Sequence, residues 1–497
     1  MNILMLLEMA TEAFGDRVAV GDRQNGLTYE QLFTQAGCVA AALQASPAER
    51  LLWTDVTSEA LPVALFGSAW AGIPFVPLNF RLADERLRSL IAKQAPAVTL
   101  CAADSIARLG CSDGIIVTPT LQFLNDAVTA SSAPLDRDDD PDGIAVLLHT
   151  SGTSGDPKIA VLRHKHLVSY VLGSVEFMSA EDDEATLVSV PPYHIAGLAT
   201  ILSSTYSGRR LVQMPTFEAS EWVRIAREQH ITHAMVVPTM MARILDVLED
   251  GEGLPSMRHV SYGGGRMPLP VIEHAMESMP NVNFVNAYGL TETSSSIAIL
   301  GPDDHRDAIA SSDPAVRSRL GSVGLPLPSV EITIRDADAK ELPVGETGEV
   351  WVRGEQVSGE YSNRPGGNGT VDGWFPTKDG GHVDANGYLF IDGRVDDVIV
   401  RGGENLSPGE IEDVLLTHPG VSDACVIGIP DDEWGEAVAA FVVPLPNSTL
   451  TVSEIQSWVV EHLRSSRRPK VVQFCVELPY NDLGKVLRRV LREEFKK

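Results

Sequence analysis

The sequence lacks the features that mark secreted, disulfide-bonded and membrane-spanning proteins. Its 497 residues include only five cysteines, an odd number with no Cys-x-x-Cys pair, which argues against a disulfide framework or a zinc site. No apolar run is long enough to span a bilayer, and residues 1–10 lack the basic segment that opens a signal peptide. We therefore predict a cytoplasmic protein without a transmembrane segment.

Basic residues are also scarce. The chain has 39 lysines and arginines against 67 acidic residues, so its formal net charge is −28. A surface of this sign repels nucleic acid backbones and anionic membranes, and neither is an expected partner of the whole molecule. The expected assembly is a monomer or a homodimer.

The hydrophobic share of 44% is typical of a globular protein that buries a large core, and the length allows about three structural units. Strand-like and helical patterns alternate up to residue 330, which predicts layered α/β subdomains. From residue 330 the pattern changes to alternating strands with Gly and Pro turns, which predicts an antiparallel β-subdomain. The last hundred residues predict a small α+β unit, in which residues 485–495 form the final helix.

A loop rich in glycine, hydroxyl side chains and one lysine lies between two apolar segments, residues 144–148 and 159–162. It begins at His149 and ends at Lys158. Small residues allow backbone N–H groups to approach an anion, and the lysine adds positive charge, so phosphate is the natural ligand. The spacing differs from the common P-loop, and the composition alone also fits a solvated surface loop.

Four further motifs accompany this loop in a fixed order. They are Tyr288-Gly-Leu-Thr-Glu292, Gly387-Tyr-Leu-Phe-Ile-Asp-Gly-Arg394, Gly402-Gly-Glu-Asn-Leu-Ser-Pro408 and Gly484-Lys485. Together they resemble the adenylate-forming superfamily of acyl- and aryl-CoA synthetases, peptide-synthetase adenylation domains and luciferases. The resemblance runs from about residue 27 to residue 490, and fatty-acid and 4-chlorobenzoate-type CoA ligases are the members it suggests.

The resemblance implies a large N-terminal adenylation domain at residues 1–394 and a mobile C-terminal lid domain at residues 395–497, with a hinge at Asp396. It also implies an ATP site. The implied ATP-binding residues are Thr150, Ser151, Gly152, Thr153, Ser154, Gly155, Lys158, Gly263, Gly264, Gly265, Asn286, Ala287, Tyr288, Gly289, Thr291, Asp379, Arg394 and Lys485. A carboxylate with two acceptor oxygens suits the ribose diol, which is the role implied for Asp379.

Thr291, Glu292, His194 and Lys485 are the catalytic groups that the resemblance implies. A carboxylate beside polyphosphate requires a bridging cation, and its hard oxygens suit Mg²⁺, so Glu292 is the predicted metal ligand. Lys485 would bring the substrate carboxylate and the α-phosphate together. His194 is either a gate between the acid pocket and the CoA channel or a histidine of the core.

The resemblance further implies CoA as the second substrate. The residues implied to bind it are Gly402, Gly403, Glu404, Trp434, Arg468 and Arg81. Two parts of this set have an alternative interpretation. Gly402 and Gly403 also fit an ordinary β-turn, and the basic residues near the C-terminus also fit a solvated helix. Few charges occur in the segments expected to line the acid pocket, so we predict a mainly apolar alkyl or aryl acid.

The expected function is an ATP-dependent carboxylate–CoA ligase that forms an acyl-adenylate, releases pyrophosphate and transfers the acyl group to CoA. Two alternatives stay open: a ligase that loads a carrier protein, and a catalytically inactive nucleotide-binding homologue. Three residues depart from the family pattern. Ile159 follows the loop lysine, Lys378 replaces a glycine before Asp379, and Arg266 follows the glycine segment with no assigned role.

Overall fold

The computed structural model describes residues 1–110, 112–130, 139–150, 158–248, 253–362, 369–402, 404–431, 433–446, 448–481 and 485–495. Its helices in chain order are α1 (Leu4–Phe14), α2 (Tyr29–Gln44), α3 (Ala60–Ala71), α4 (Asp84–Ala92), α5 (Ile106–Leu109), α6 (Thr120–Ala130), α7 (His164–Ser174), α8 (Ile195–Ser207), α9 (Ala219–Glu228), α10 (Pro238–Val247), α11 (Leu269–Ser278), α12 (Pro302–Ala310), α13 (Pro314–Arg317), α14 (Pro408–Leu416), α15 (Val452–His462) and α16 (Arg488–Phe495).

The strands of the first half are β1 (Val18–Val20), β2 (Leu27–Thr28), β3 (Leu51–Trp53), β4 (Phe75–Pro77), β5 (Ala97–Cys101), β6 (Ile115–Pro119), β7 (Ile144–Thr150), β8 (Lys158–Arg163), β9 (Ala185–Val188), β10 (Arg210–Gln213), β11 (His233–Val236) and β12 (His259–Gly263). Those of the second half are β13 (Asn283–Leu290), β14 (Ser295–Leu300), β15 (Leu325–Pro326), β16 (Val330–Arg335), β17 (Gly348–Gly354), β18 (Phe375–Val383), β19 (Leu389–Arg394), β20 (Ile399–Arg401), β21 (Glu404–Leu406), β22 (Val421–Asp431), β23 (Gly435–Pro444) and β24 (Val471–Phe474).

Two mainly parallel sheets form the body of the molecule. Within the described residues, one has the order β15-β14-β13-β12-β11-β9-β10-β1-β2 and the other the order β6-β5-β3-β4-β7-β8. One buried apolar cluster joins strand residues of both sheets, such as Leu211 and Val146, to helices α1, α2, α3 and α8 between them. Each fully buried Leu, Val or Phe side chain there stabilises the fold by about 1.5–3 kcal/mol.

Two antiparallel sheets follow. The first has the order β16-β17-β18-β19, and the second joins β21, β20, β23 and β22, with β24 added beside β23. The antiparallel β-subdomain predicted from residue 330 and the small C-terminal α+β unit are therefore confirmed. We call residues 1–394 the N-terminal region and residues 395–497 the C-terminal region.

Local sequence signals explain several element ends. The Thr28 hydroxyl accepts the Gln31 N–H at 3.2 Å and the Gln31 side chain accepts the Thr28 N–H at 2.9 Å, a capping box that starts α2. The final helix was predicted from residue 485, but α16 begins at Arg488. Lys485 lies in a turn instead, because its N–H donates to the Asn481 side chain and its carbonyl accepts the Asn481 N–H.

No helix in the described ranges combines the length and the apolar character needed to cross a bilayer.

Candidate active site

Several predicted site residues lie where the parallel strands of the larger sheet end, the edge at which open α/β sheets bind ligands. Gly263 ends β12, and Asn286 and Gly289 lie in β13. A Cβ on Gly289 would lie 1.9 Å from the Ser295 carbonyl oxygen, so only glycine lets β13 and β14 approach this closely. The Asn286 side-chain amide donates to the Ser322 carbonyl at 3.0 Å, which joins β13 to the segment before β15.

Asp379, predicted to hold the ribose, lies in a partly buried network with Arg394 and Tyr288 of the predicted ATP-binding set. Asp379 on β18 accepts a hydrogen bond from the Arg394 guanidinium of β19 at 2.9 Å and from the Tyr288 hydroxyl of β13 at 2.7 Å. Arg394 also donates to the Thr377 carbonyl at 3.0 Å, and the Thr377 hydroxyl accepts the Asp379 N–H at 3.1 Å. Asp379 is therefore an acceptor held in a fixed position before any ligand binds.

The electrostatics of Tyr288 follow from this arrangement. Burial raises the pKa of its phenol well above the ordinary value, and the neighbouring Asp379 carboxylate raises it further. Tyr288 thus remains a hydrogen-bond donor throughout the physiological range.

Lys378, which replaces a family glycine, has a left-handed backbone conformation with φ of 67°. The Glu349 carboxylate accepts the Lys378 N–H at 3.1 Å and lies 3.2 Å from its ammonium. The geometry that glycine would adopt is therefore retained, at a cost of about 1–2 kcal/mol for a side chain in this region of φ.

Glu292, the predicted metal ligand, is nearly buried in a short 3-10 helix at Thr291–Thr293. Its Oε1 accepts a hydrogen bond from the Tyr361 hydroxyl at 2.6 Å. The ammonium of Lys158 lies 5.5 Å from the centre of the Tyr361 ring. Tyr361 thus joins the end of the glycine-rich loop to Glu292, and the sequence motifs gave no signal for it.

The donor set fits a magnesium ion that arrives with a nucleotide. Among the described residues, no group of three or more His, Cys, Asp or Glu side chains could form an all-protein metal site. Mg²⁺ prefers one or two carboxylates together with substrate phosphates, and the nearly buried Glu292 carboxylate beside the loop end would supply the protein share.

The phosphate loop itself is described only at its ends. The Thr150 hydroxyl lies 3.4 Å from the Lys158 carbonyl, and these two residues pair between β7 and β8. Ser151, Gly152, Thr153, Ser154 and Gly155 lie outside the described residues. His149, the first residue of the loop, has buried ring nitrogens. Burial lowers its pKa to about 4, so the ring is neutral at pH 7.

Lys485 belongs to the C-terminal region but interacts electrostatically with Asp379 and Arg394 of the N-terminal region. Protein atoms crowd the cleft around its ammonium, which lowers its pKa; Arg394 adds to this effect and Asp379 opposes it. The residue itself is still exposed to solvent. The structure thus brings Lys485 within electrostatic range of Asp379 and Arg394, from more than ninety residues further along the chain.

His194 caps the start of α8 and lies in a row of rings. Its ring centre is 4.6 Å from that of Tyr193, which lies 5.9 Å from that of Phe80. The Arg81 guanidinium lies 5.5 Å from the centre of the Phe80 ring. The row of rings therefore connects His194 with Arg81 in the N-terminal region. The sequence analysis assigns these two residues to different subsites, His194 to the gate of the acid pocket and Arg81 to the CoA site.

The other residues predicted to bind CoA lie in the C-terminal region. The Gly402 N–H donates to the Trp434 carbonyl at 2.8 Å, and the Trp434 side chain is exposed. Glu404 forms a short ion pair with Arg467. Arg468 donates to the Gln456 side chain at 2.7 Å, while Gly403 lies outside the described residues. Arg467, absent from the predicted set, is thus the arginine that contacts Glu404.

Comparison with known proteins supports the resemblance drawn from the motifs. The AMP-binding enzyme family matches residues 7–362, and the AMP-binding enzyme C-terminal domain matches residues 410–485. A fatty acid–[acyl-carrier-protein] ligase, ScoC, of Streptomyces coeruleorubidus is 33% identical over 94% of this chain and 92% of its own length. A feruloyl-CoA synthase of an Amycolatopsis species is 30% identical over 96% of both chains.

Among solved structures, ATP-bound MatB from Rhodopseudomonas palustris has a TM-score of 0.87 and 27% identity, covering 100% of this chain and 99% of its own. The apo form of MatB gives 0.78, so this chain is nearer in shape to the ATP-bound form. The predicted fold of layered α/β subdomains with a small C-terminal unit is confirmed. The chain belongs to the AMP-binding enzyme family, a group within the adenylate-forming superfamily.

Proposed function

We propose that this protein is an ATP-dependent acid–thiol ligase that converts a carboxylic acid to an acyl-adenylate and then to a CoA thioester. One observation carries the proposal: a lysine from the C-terminal region lies within electrostatic range of Asp379 and Arg394, which belong to a partly buried hydrogen-bonded network in the N-terminal region. An inactive nucleotide-binding protein has no need of a cation at that point. The same set of charges suits a reaction between two anions.

In the first half-reaction a carboxylate oxygen of the acid attacks the α-phosphorus of ATP, and the bond to the β-phosphate oxygen breaks, releasing pyrophosphate. Asp379 accepts the ribose hydroxyls, and Arg394 fixes that carboxylate. The glycine-rich loop up to Lys158 holds the leaving pyrophosphate. The Lys485 ammonium bridges the attacking carboxylate and the α-phosphate, which orients them and offsets their repulsion.

Glu292 would hold Mg²⁺ together with the ATP phosphates, and the ion would neutralise charge on the leaving group. Tyr361 orients the Glu292 carboxylate for this by occupying its Oε1. We assign Thr291, in the same 3-10 helix, to the α-phosphate.

In the second half-reaction the thiolate sulfur attacks the acyl carbon, the acyl–oxygen bond to AMP breaks, and AMP leaves. We propose that the C-terminal region first rotates at Asp396. Asp397 next to it binds Arg492 at 2.7 Å and is therefore fixed to the C-terminal region, while Asp396 is exposed in the short 3-10 helix between the regions. Asp396→Pro should therefore slow thioester formation and leave pyrophosphate release intact, which rapid quench of each half-reaction would measure.

The acid is expected to be a mainly apolar monocarboxylate. Pyrophosphate release with ferulate, decanoate and decanedioate would test this, since the last two differ only in a second carboxylate. Release with ferulate or decanoate supports the proposal. A preference for decanedioate over both monocarboxylates would reject the apolar pocket, and no release with any acid would reject the adenylation chemistry.

The thiol substrate separates two candidate functions. The 33% identity with a carrier-protein ligase favours an acyl carrier protein as the alternative to CoA. Arg464 and Arg468 are exposed and suit the phosphates of the CoA nucleotide. We therefore expect a lower KM for CoA than for pantetheine, which has the same thiol arm without the nucleotide. Faster acylation of a phosphopantetheinylated carrier protein than of CoA would select the alternative.

ATP and CoA are both available in the cytoplasm, where we place the enzyme, acting as a monomer or a homodimer. Light scattering after size exclusion would determine the assembly.

A further inference from the structure

Arg266, whose role the motifs left open, reaches from the N-terminal region to the C-terminal region. It lies in the loop between β12 and α11, and its guanidinium forms a short ion pair with Asp413 of α14. The Arg266 side chain is 42% exposed and that of Asp413 only 21% exposed. The pair therefore joins the two regions at a place where the carboxylate is largely withdrawn from water.

Helix α14 has room for this arginine. Gly409 lies one turn before Asp413 and shares its face of the helix. A Cβ at residue 409 would lie 1.9 Å from Nη1 and 3.0 Å from Cζ of Arg266, so any larger residue would push the guanidinium aside. A second contact fixes the start of the same helix, because the Ser407 hydroxyl donates to the Asp392 carbonyl at 2.7 Å.

The same helix is also joined to the segment that carries Lys485. Glu412, next to Asp413, accepts two hydrogen bonds from the Arg488 guanidinium, at 2.5 and 2.7 Å. Arg488 begins α16 and follows Lys485 by three residues. A displacement of α14 is therefore transmitted to Lys485 through one ion pair, in which Nη2 of Arg488 contacts both Glu412 oxygens.

We propose that Arg266 is a positioning residue for acyl-adenylate formation, which holds α14, and with it Lys485, in the orientation that faces Asp379. This inference rests on the proposed function, since it assigns Arg266 to the first half-reaction only. When the C-terminal region rotates for thioester formation, the pair separates and both side chains return to water.

The two members of the pair are not equivalent. Burial raises the pKa of Asp413 to about 6 even with Arg266 beside it, and the Glu412 carboxylate adds to the rise. Without Arg266, the carboxylate loses the cation that offsets its burial. Without Asp413, the half-exposed arginine can turn to solvent. Arg266→Ala should therefore disfavour the adenylating orientation more than Asp413→Asn does.

The experiment compares Arg266→Ala, Asp413→Asn, the double variant and wild type in each half-reaction. Pyrophosphate release is measured with ferulate or decanoate, whichever the wild type adenylates, and thioester formation with the corresponding acyl-adenylate and CoA. We expect Arg266→Ala to slow the first half-reaction by about 10-fold and Asp413→Asn by about 2-fold, with the double variant close to Asp413→Asn. The second half-reaction should be unchanged in all three.

Arg317→Ala is the matched control. It removes an arginine that pairs with Glu273 at 2.7 Å within the N-terminal region and has a similar exposure of 50%. We expect it to leave both half-reactions unchanged. Equal losses in both half-reactions for Arg266→Ala, or a double variant slower than Arg266→Ala, would overturn the proposal.

A measurement without catalysis separates this inference from the proposed function. Spin labels carried by unnatural amino acids at the exposed positions Leu121 and Val476 report the distance between the regions in the presence of ATP and Mg²⁺. We expect one main distance in wild type and Arg317→Ala, a second population in Arg266→Ala, and a return to one distance in the double variant. An unchanged distribution in Arg266→Ala would overturn the inference even in an active enzyme.

Discussion

The predicted ribose pocket and the Lys485 segment, to which we assign charges for the same reaction, are held in different ways. In the pocket, Asp379, Arg394 and Tyr288 come from three strands and form hydrogen bonds of 2.7–2.9 Å with one another. Lys485 lies in a turn, and among the described residues its ammonium forms no hydrogen bond or ion pair. Its backbone is fixed by Asn481, and its segment by the Arg488–Glu412 pair.

This difference reflects two tasks. A pocket that binds the nucleotide through both half-reactions benefits from groups that need no rearrangement. A lysine needed in only one half-reaction benefits from a position that depends on the orientation of its whole region. Substitutions in the pocket should therefore affect both half-reactions, and substitutions at Lys485 only the first.

The largest effect is expected for Lys485→Ala. Loss of the ammonium leaves the repulsion between carboxylate and α-phosphate without an offset, so pyrophosphate release should fall by about 10²- to 10³-fold. Thioester formation from supplied acyl-adenylate should stay within about 2-fold, because that step follows rotation of the region.

Arg489→Ala controls for the loss of a nearby cation, since Arg489 is exposed and pairs only with Glu493 one turn away, among the described residues. Normal pyrophosphate release by Lys485→Ala in the same assay would show that the lysine assignment is wrong.

Asp379→Asn should give a smaller but broader effect. The amide cannot accept both ribose hydroxyls as the carboxylate does and leaves Arg394 without its counter-charge, so the KM for ATP should rise by about 10- to 100-fold. The affinity for acyl-adenylate in the second half-reaction should fall as well, which steady-state kinetics with supplied adenylate would measure. Asp384→Asn is the control, because an amide oxygen at residue 384 can still accept the Asn386 and Tyr388 N–H groups in the turn after β18. A loss confined to the first half-reaction would remove the contrast with Lys485.

The sequence was a good guide to features that depend on near neighbours and a poor one to contacts between distant segments. The capping pair Thr28–Gln31 that starts α2 and the proline that starts α14 at Pro408 are local signals, which the sequence displays directly. Tyr361 contacts Glu292 across 69 residues, and Arg266 meets Asp413 across 147. Such pairs are set by the packing of whole elements, to which periodicity and propensity do not respond.

Protonation of Lys485 offers a finer test of the same contrast. The ammonium is the active form, and crowding by protein lowers its pKa below the ordinary 10.5. Pyrophosphate release should therefore decline on the alkaline side below pH 10.5, as the lysine loses its proton. Lys485→Arg, with a side chain that stays charged, should lower the rate but remove this decline. The rate of the second half-reaction should show no such alkaline decline. If both half-reactions declined in the same pH range, the decline would have to be assigned to a group other than Lys485.

The smallest effect is expected at Lys378, where the pocket carries backbone strain. Glycine adopts a φ of 67° without steric cost but loses more entropy on folding, and the exposed contact with Glu349 contributes little. Lys378→Gly should therefore raise the free energy of unfolding by only about 0.5 kcal/mol, measured by urea denaturation, with the KM for ATP unchanged. Lys378→Ala, which keeps the strain and loses the contact, should be slightly destabilising. If Lys378→Gly instead raised the KM for ATP, the position of Asp379 would depend on the Glu349 contact, and the pocket would be less firmly preassembled than its hydrogen bonds indicate.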